Sequence, residues 1–222
     1  MNTYELDHYT DWFFDLDGTL TDSAADILYL LNAVLREEGV QCSPVERKHI
    51  GPPLEDIIRT LCPNFSSEQV TRIVQIYRPR YRQCSFARSP LYPGILPLFT
   101  QLKAQGARLY VATNKPVDVT TRLLGLRGLL PFLTDIVCSN SSPERRLSKA
   151  EMLALLMERH EILPEQGIMA GDSILDMQGA QTVGMATLAV LYGYGAREAL
   201  LAAQPDFIVD DPDWTSIRRT PN

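Results

Sequence analysis

The sequence contains no apolar run of about 18 residues, the length that a membrane-spanning helix requires. Residues 1–12 have no basic stretch, no apolar segment and no small-residue cleavage site of the kind that secretory signals carry. We therefore expect neither a membrane-embedded nor an exported protein. Both absences favour a cytoplasmic location.

Cysteine is scarce, with four widely spaced residues in 222 and no CxxC pair. This spacing is unlike that of zinc sites, and it favours free thiols over disulfides. The chain also lacks a basic excess, because 27 acidic side chains against 21 basic ones give a net charge of −6. Proteins that bind a nucleic acid duplex usually have the opposite balance, so we expect no duplex as a partner.

Short apolar runs alternate along the chain with amphipathic helical patterns. Runs that are apolar on both faces are typical of parallel strands that helices cover on both sides. The alternation predicts a doubly wound parallel α/β core. The predicted strands cover residues 11–15, 108–113, 135–138, 168–171, 186–190 and 207–209. The predicted core helices cover residues 95–105, 116–124, 148–160, 174–183 and 196–203.

One stretch departs from this alternation, because residues 23–88 show only helical patterns. A segment of this length is too long for a simple crossover between two strands. We interpret it as an inserted helical domain, called the cap below, and assign residues 1–22 and 89–222 to the α/β core. Residues 43–88 carry eight basic and four acidic side chains. That excess hints at an anionic substrate, although solvated helix faces would produce it too.

Paired carboxylates follow the first predicted strand, in the segment 15–19 (DLDGT). In an open α/β sheet, ligands bind just beyond the carboxyl ends of the strands. Asp15 and Asp17 would concentrate negative charge there unless a cation or proton were shared. A divalent metal such as Mg²⁺, which prefers carboxylates, waters and phosphate, would relieve that repulsion. The alternative is an ordinary Asp-Gly turn at Gly18.

A second acidic pair stands at the junction between a later strand and its helix. Asp172 ends the predicted strand, and Asp176 falls in the first turn of the following helix. Both could face a metal that the carboxylates after the first strand also hold. Alternatively, Asp172 or Ser173 caps the helix, but one cap does not require both aspartates.

Two further strand ends carry groups that suit a phosphate. Thr113 is followed by Asn114, Lys115 and Pro116, a hydroxyl next to helix-start amides that could cradle an anion. Lys149 begins the helix after the third predicted strand, where a cation opposes the helix dipole and so suggests an anionic partner elsewhere, either a phosphate or Asp15. An ordinary helix start and an exposed lysine are the alternatives at these positions. The combination of hydroxyl, lysine and two carboxylate pairs at four strand ends is more specific than any one of them.

In these four motifs the chain resembles the haloacid dehalogenase superfamily, in particular its phosphatases with a helical cap. The matching elements are the segments 15–19 (DLDGT) and 171–176 (GDSILD), with Thr113 and Lys149 between them. The likeness extends over about residues 12–217, and residues 50–54 (IGPPL) are similar to phosphoglycolate phosphatases. The third motif departs from the frequent Lys-Pro, because Ala150 follows Lys149.

The resemblance implies a Rossmann-like core and a role for each motif residue. Asp15 would be the nucleophile and Asp17 the general acid and base, with Thr113 and Lys149 as the other catalytic residues. Mg²⁺ would be held by Asp15, Asp17 (through its backbone carbonyl), Asp172 and Asp176. The substrate-binding residues would be Gly18, Thr19, Asn114, Lys115, His49, Gly51 and Pro52.

The implied activity is Mg²⁺-dependent hydrolysis of a phosphate monoester through an aspartyl-phosphate. A small phosphorylated metabolite similar to phosphoglycolate is the first expectation for the substrate. The alternatives are a 5′-nucleotidase, a sugar-phosphate phosphatase or a phosphomutase, the last disfavoured by Leu54 where those relatives tend to carry arginine. A dehalogenase and a non-catalytic regulatory or binding protein of the same fold are further alternatives. We expect a monomer or a homodimer.

Overall fold

The computed structural model describes residues 6–220 and has a seven-stranded sheet at its centre. The strands are β1 Asp11–Phe14, β2 Arg108–Thr113, β3 Leu133–Cys138, β4 Gly167–Gly171, β5 Ala186–Val190, β6 Phe207–Val209 and β7 Arg218–Arg219. Their order is β3-β2-β1-β4-β5-β6-β7, and every neighbouring pair is parallel except β6 and β7. The predicted doubly wound α/β fold is therefore confirmed.

Eight α-helices surround or extend this sheet within the described residues. They are α1 Ala24–Glu37, α2 Leu54–Leu61, α3 Ser67–Gln83, α4 Ile95–Ala104, α5 Val117–Leu126, α6 Lys149–His160, α7 Ile174–Thr182 and α8 Arg197–Ala202. The predicted core helices end within two residues of these bounds. In the described part of the chain, no helix is both long and apolar enough to cross a membrane.

Strand β1 is buried over its whole length because helices cover both faces of the sheet. Since side chains alternate between the faces of a strand, Trp12 and Phe14 pack into one core cluster and Phe13 into another. Each of these fully buried rings contributes about 2 kcal/mol or more of hydrophobic stabilisation. This packing holds the central strand, and therefore the residues that follow it, in a rigid position.

The register of the sheet aligns the ends of its central strands. Phe14 pairs with Val111 on β2 and with Ala170 on β4. The residue after Phe14 therefore lies level with the next-to-last residue of β2 and with the last residue of β4, and its amide N–H donates to the Ala170 carbonyl at 3.0 Å. Loops that are far apart in the sequence consequently leave the sheet side by side.

The chain leaves this core after β1 and returns before α4, and it has no strand in residues 23–88. The two crossings lie next to each other, because Thr21 and Leu91 form an antiparallel bridge and Asp22 N–H donates to Pro90 O at 2.9 Å. Helices α1, α2 and α3 pack together beyond these crossings. The boundaries of the predicted cap domain stay a prediction.

Candidate active site

Three carboxylates meet at the carboxyl edge of the sheet. Asp15 follows β1, Asp172 follows β4, and Asp176 lies in the first turn of α7. Each is buried, and each offers an oxygen within 4.8 Å of the others. The aligned strand ends bring together groups that are 157 and 161 residues apart in the sequence.

One ammonium group faces this acidic cluster. Lys149 Nζ lies 2.8 Å from Asp15 Oδ1 and 2.7 Å from Asp176 Oδ1, and it donates to the Ala112 carbonyl at 2.6 Å. The lysine reaches the cluster past Gly179, where a Cβ atom would stand 2.7 Å from its Cγ. The carboxylates offset the unfavourable position of this cation at the start of α6.

The charges of the cluster do not balance. Asp15, Asp172 and Asp176 carry three negative charges when ionised, and Lys149 supplies one positive charge. Burial and the neighbouring carboxylates raise the pKa of Asp15 to about 6 and hold the pKa of Asp172 well above its usual range. Burial lowers the pKa of Lys149, but Asp15 and Asp176 outweigh it and raise that pKa above its ordinary value. When all three carboxyls are ionised, the residual charge of −2 matches a divalent cation.

The raised pKa of Asp15 predicts a pH-dependent stability difference when divalent metal is absent. The carboxyl titrates near 3.8 in the unfolded chain and near 6 in the folded one, so its ionisation destabilises the fold. The effect is absent below about pH 4, grows as the pH rises to about 6, and is constant above that. An Asp15→Asn variant should therefore gain stability relative to the unaltered protein over this window.

Urea unfolding of both proteins in a chelating buffer, across the window from about pH 4 to about pH 7, measures this difference. Taking the difference cancels the pH dependence of the groups that do not interact with Asp15, and what remains belongs to Asp15 and the groups beside it. A gap in unfolding free energy that does not change with pH would contradict the raised pKa of Asp15.

Asp172 is held by several groups on one side of the cluster. Thr19 Oγ1 donates to its Oδ1 at 3.2 Å, and the Tyr194 N–H donates to its Oδ2 at 2.7 Å. The backbone on either side of Tyr194 passes so close that a Cβ at Gly195 would stand 1.9 Å from the Asp172 carbonyl oxygen. Gly18 adopts φ +88°, in which a Cβ would meet the Asp172 carboxylate at 2.2 Å. Glycine is required at both positions for this close approach.

Asp17 belongs to a separate charge pair. Lys115 Nζ donates to both of its carboxylate oxygens at 2.8 Å, and Ser23 Oγ donates to Oδ1 at 2.5 Å. The same ammonium donates to the hydroxyl of Tyr81, on α3, at 2.7 Å. The acidic pair of the segment 15–19 is thus divided, with Asp15 in the three-carboxylate cluster and Asp17 paired with Lys115.

A cleft of about 770 Å³ opens above Asp15 and Asp17, between the sheet edge and the cap. Thr113, Asn114 and Lys115 form its core side, and the Asn114 side chain donates to the Gly51 carbonyl at 3.2 Å. The far wall is apolar, with arginines at its margin. The lining residues are Asp15, Asp17, Ile27, Ile50, Gly51, Pro52, Pro53, Leu54, Ile57, Tyr77, Arg78, Tyr81, Arg82, Thr113, Asn114, Lys115, Pro116, Val119 and Arg146.

Comparison with known families shows which family the protein belongs to. The sequence model of the family described as haloacid dehalogenase-like hydrolase matches residues 12–190. The chain belongs to the haloacid dehalogenase-like hydrolase family. The resemblance noted in the sequence is confirmed, and so is the prediction that the protein is an enzyme, a hydrolase of this family.

Relatives of this hydrolase match most of its length. A phosphoglycolate phosphatase from Vibrio vulnificus is 31% identical over 208 residues, which are 89% of this chain and 90% of that protein. A tyrosine-protein kinase from Mycobacterium tuberculosis is 34% identical over 187 residues, 83% of this chain and 63% of that protein. A solved haloacid dehalogenase-like hydrolase from Streptococcus pneumoniae is 34% identical with a TM-score of 0.83, covering 92% of this chain and 95% of that one.

The structure of the hydrolase brings together most of the residues that the motifs singled out. The site contains the three-carboxylate cluster with Lys149 and the pair of Asp17 and Lys115. The side of the cleft toward the cap contains Gly51 and Pro52. Thr19 is buried against Asp172 rather than in the cleft wall. His49 is not among the lining residues, and its Nδ1 accepts the N–H of Glu46 at 2.9 Å. The roles assigned to these side chains stay predictions.

Several polar residues of the site had no role in the sequence analysis. One is Glu55 on α2, which lies 2.7 Å from the guanidinium groups of both Arg146, in the loop before α6, and Arg78 on α3, an arginine of the basic segment 43–88. Tyr81 reads in the sequence as an apolar position of a helix, and Ser23 reads as a helix start. Their contacts join distant segments, so no local pattern marks them.

Proposed function

We propose that this hydrolase is a Mg²⁺-dependent phosphomonoesterase that acts through an aspartyl-phosphate on Asp15. The observation that carries the proposal is the position of Asp15, whose carboxylate reaches the cleft floor with only 12% of its side chain exposed. One of its oxygens contacts Lys149, and two further buried carboxylates stand beside it. Such a site suits a carboxylate nucleophile that attacks an anion with the help of cations.

The donor set fits a hard divalent cation. Three carboxylates with one ammonium leave a charge of −2, and oxygen ligands are those that Mg²⁺ prefers. Asp15, Asp172 and Asp176 would hold the ion, together with the backbone carbonyl of Asp17. When bound, the ion would neutralise the charge that keeps an anionic nucleophile from an anionic phosphate.

We assign the other steps of the reaction to side chains of this protein. A carboxylate oxygen of Asp15 attacks phosphorus in line, and Asp17 protonates the departing alcohol oxygen. Asp17 then takes a proton from the water that hydrolyses the phosphoenzyme. Thr113, Asn114 and Lys149 bind the oxygens of the phosphoryl group, and the cap excludes other water from the cleft.

For the substrate, we propose a small phosphorylated metabolite that carries a carboxylate besides its phosphate, with phosphoglycolate as the first candidate. Several relatives that match nearly all of this chain are phosphoglycolate phosphatases. Arg78 and Arg146 at the margin of the cleft share the single carboxylate of Glu55, which leaves one positive charge for an anionic group. Electrostatic attraction of this kind favours an ester with an anionic group besides its phosphate.

The apolar part of the cleft favours a second candidate. Ile27, Ile50, Leu54 and Ile57 provide a surface that a two-carbon acid does not need. A sugar phosphate or a nucleoside monophosphate would bury more of this surface and so gain hydrophobic binding energy.

Location in the cytoplasm and a monomeric or dimeric state remain predictions from the sequence.

Phosphate release from a broad panel of phosphomonoesters, measured with Mg²⁺ and after its removal, tests the proposal. We expect turnover that requires Mg²⁺, with kcat/KM for phosphoglycolate at least about tenfold above the other esters, equivalent to about 1.4 kcal/mol. A preference for nucleotides or sugar phosphates would select the second candidate. If the folded protein releases phosphate from no ester, the proposed activity is wrong.

A further inference from the structure

Lys115 is a buried cation whose partners come from both the core and the cap. Its side chain is 2% exposed, and its Nζ donates to Asp17 Oδ1 at 2.8 Å, Asp17 Oδ2 at 2.8 Å and the Tyr81 hydroxyl at 2.7 Å. An ammonium group has three N–H donors, so these acceptors use all of them. Tyr81 is on α3, whereas Lys115 follows β2 and Asp17 follows β1.

We propose that Lys115 and Tyr81 are positioning residues for Asp17, so that the acid and base of the reaction is set in place by the cap. The inference rests on the proposed phosphatase function. It gives Lys115 a task other than direct contact with the substrate phosphate. A phosphate could bind this ammonium only by displacing Asp17 or Tyr81 from it.

The surroundings of Asp17 support a positioning role. Its carboxylate accepts one hydrogen bond from Ser23 Oγ, at the start of α1, and two from Lys115. Together these contacts fix both oxygens, and charge-assisted bonds of this kind are short and strong. Lys115 in turn is held by Tyr81, which is buried and stacks on Tyr77 with ring centroids 5.3 Å apart. The position of Asp17 therefore depends on how α3 packs against the core.

The reaction that Asp17 serves has two steps. In the first, a bond forms between Asp15 and phosphorus, the bond from phosphorus to the ester oxygen breaks, and Asp17 gives that oxygen the proton that it took from water in the second step of the preceding turnover. In the second, water attacks phosphorus, its proton passes to the Asp17 carboxylate, and Asp15 is released. The sum is the conversion of one ester and one water into one alcohol and one inorganic phosphate.

The rate of the first step distinguishes a residue that positions Asp17 from a residue that binds the phosphate. An alkyl ester needs a proton on its departing oxygen, whereas 4-nitrophenolate is a good leaving group without one. The ratio kcat/KM covers only the steps up to transfer of the phosphoryl group to Asp15, so it excludes the second step. Loss of a positioning residue should lower this ratio mainly for the alkyl ester. Loss of a phosphate ligand should lower it equally for both esters.

The experiment compares kcat/KM for glycerol 2-phosphate and 4-nitrophenyl phosphate, with Mg²⁺ present, in the whole chain and its variants. Lys115→Met removes the ammonium, and Tyr81→Phe removes only the hydroxyl that holds it. Lys103→Met, on the exposed side of α4, and Tyr29→Phe, on a cap tyrosine that is 61% exposed, are the matched controls. Neither control residue touches the cleft.

We expect Lys115→Met to lower kcat/KM about 100-fold for the alkyl ester and less than about threefold for the aryl ester. Tyr81→Phe should lower it about tenfold for the alkyl ester, with the same selectivity, since it removes one hydrogen bond to a charged group. The two control variants should retain the kcat/KM of the unaltered protein for both esters. If the lysine variant does not fold, the Tyr81→Phe variant is sufficient to test the proposal.

Two results would overturn the inference while leaving the proposed function in place. One is an equal loss for both esters in the two variants, which would assign Lys115 to phosphate binding. The other is unchanged kcat/KM for both esters. If the unaltered protein releases phosphate from neither these esters nor the wider panel, the proposed function fails, and this inference fails with it.

Discussion

Replacing Asp15 by asparagine is expected to abolish phosphate release, with kcat lowered by at least about 10⁴-fold. The carboxamide cannot attack phosphorus, so the reaction loses its covalent intermediate. The new side chain would keep the shape of the old one and an oxygen that can accept from Lys149, which contacts Asp15 Oδ1 at 2.8 Å. The fold should therefore survive, and the loss should fall on the chemical step.

Thermal unfolding and phosphate release, measured on the same preparation, check this expectation. Asp213→Asn, at an exposed position away from the cleft, is the matched control and should leave turnover unchanged. Mass spectrometry of the unaltered enzyme quenched during turnover should detect a phosphorylated form that the Asp15 variant lacks. Near-normal turnover by the Asp15→Asn variant would remove Asp15 from the nucleophile role.

Removal of divalent metal is the second change with a large expected effect. Turnover should fall below detection in EDTA and return on addition of Mg²⁺, because Lys149 alone leaves the carboxylate cluster at −2. Binding should also stabilise the fold, since the ion relieves repulsion among buried carboxylates. At a Mg²⁺ concentration about 100 times the dissociation constant, the gain in unfolding free energy is about 2.7 kcal/mol.

The stability readout does not depend on catalysis and therefore tests the metal site by itself. The melting temperature of the unaltered protein should rise with Mg²⁺ concentration, while an Asp172→Asn variant should lose most of that rise. Asp213→Asn should respond as the unaltered protein does. The proposed metal site would be ruled out by two results together. The melting temperature would not change with Mg²⁺ concentration, and phosphatase activity would persist in EDTA.

Much of the fold could be predicted from hydrophobic pattern because the core strands are buried on both faces. The runs at residues 108–113, 186–190 and 207–209 coincide with β2, β5 and β6. Strand β7 was missed, since its two exposed arginines carry no apolar pattern and pair only with the edge strand β6. The family was also predictable, because its motifs stand at the strand ends.

The sequence was enough to predict that carboxylates, a hydroxyl and a lysine follow buried strands whose carboxyl ends must share one edge. That follows from local pattern and from the geometry of parallel sheets. The pairing of the charges, Lys149 with Asp15 and Lys115 with Asp17, was established only by the folded chain. Pairing depends on distances of a few ångströms between segments that are far apart in the chain, and Coulomb energies in a buried site change steeply over such distances. No sequence spacing records them.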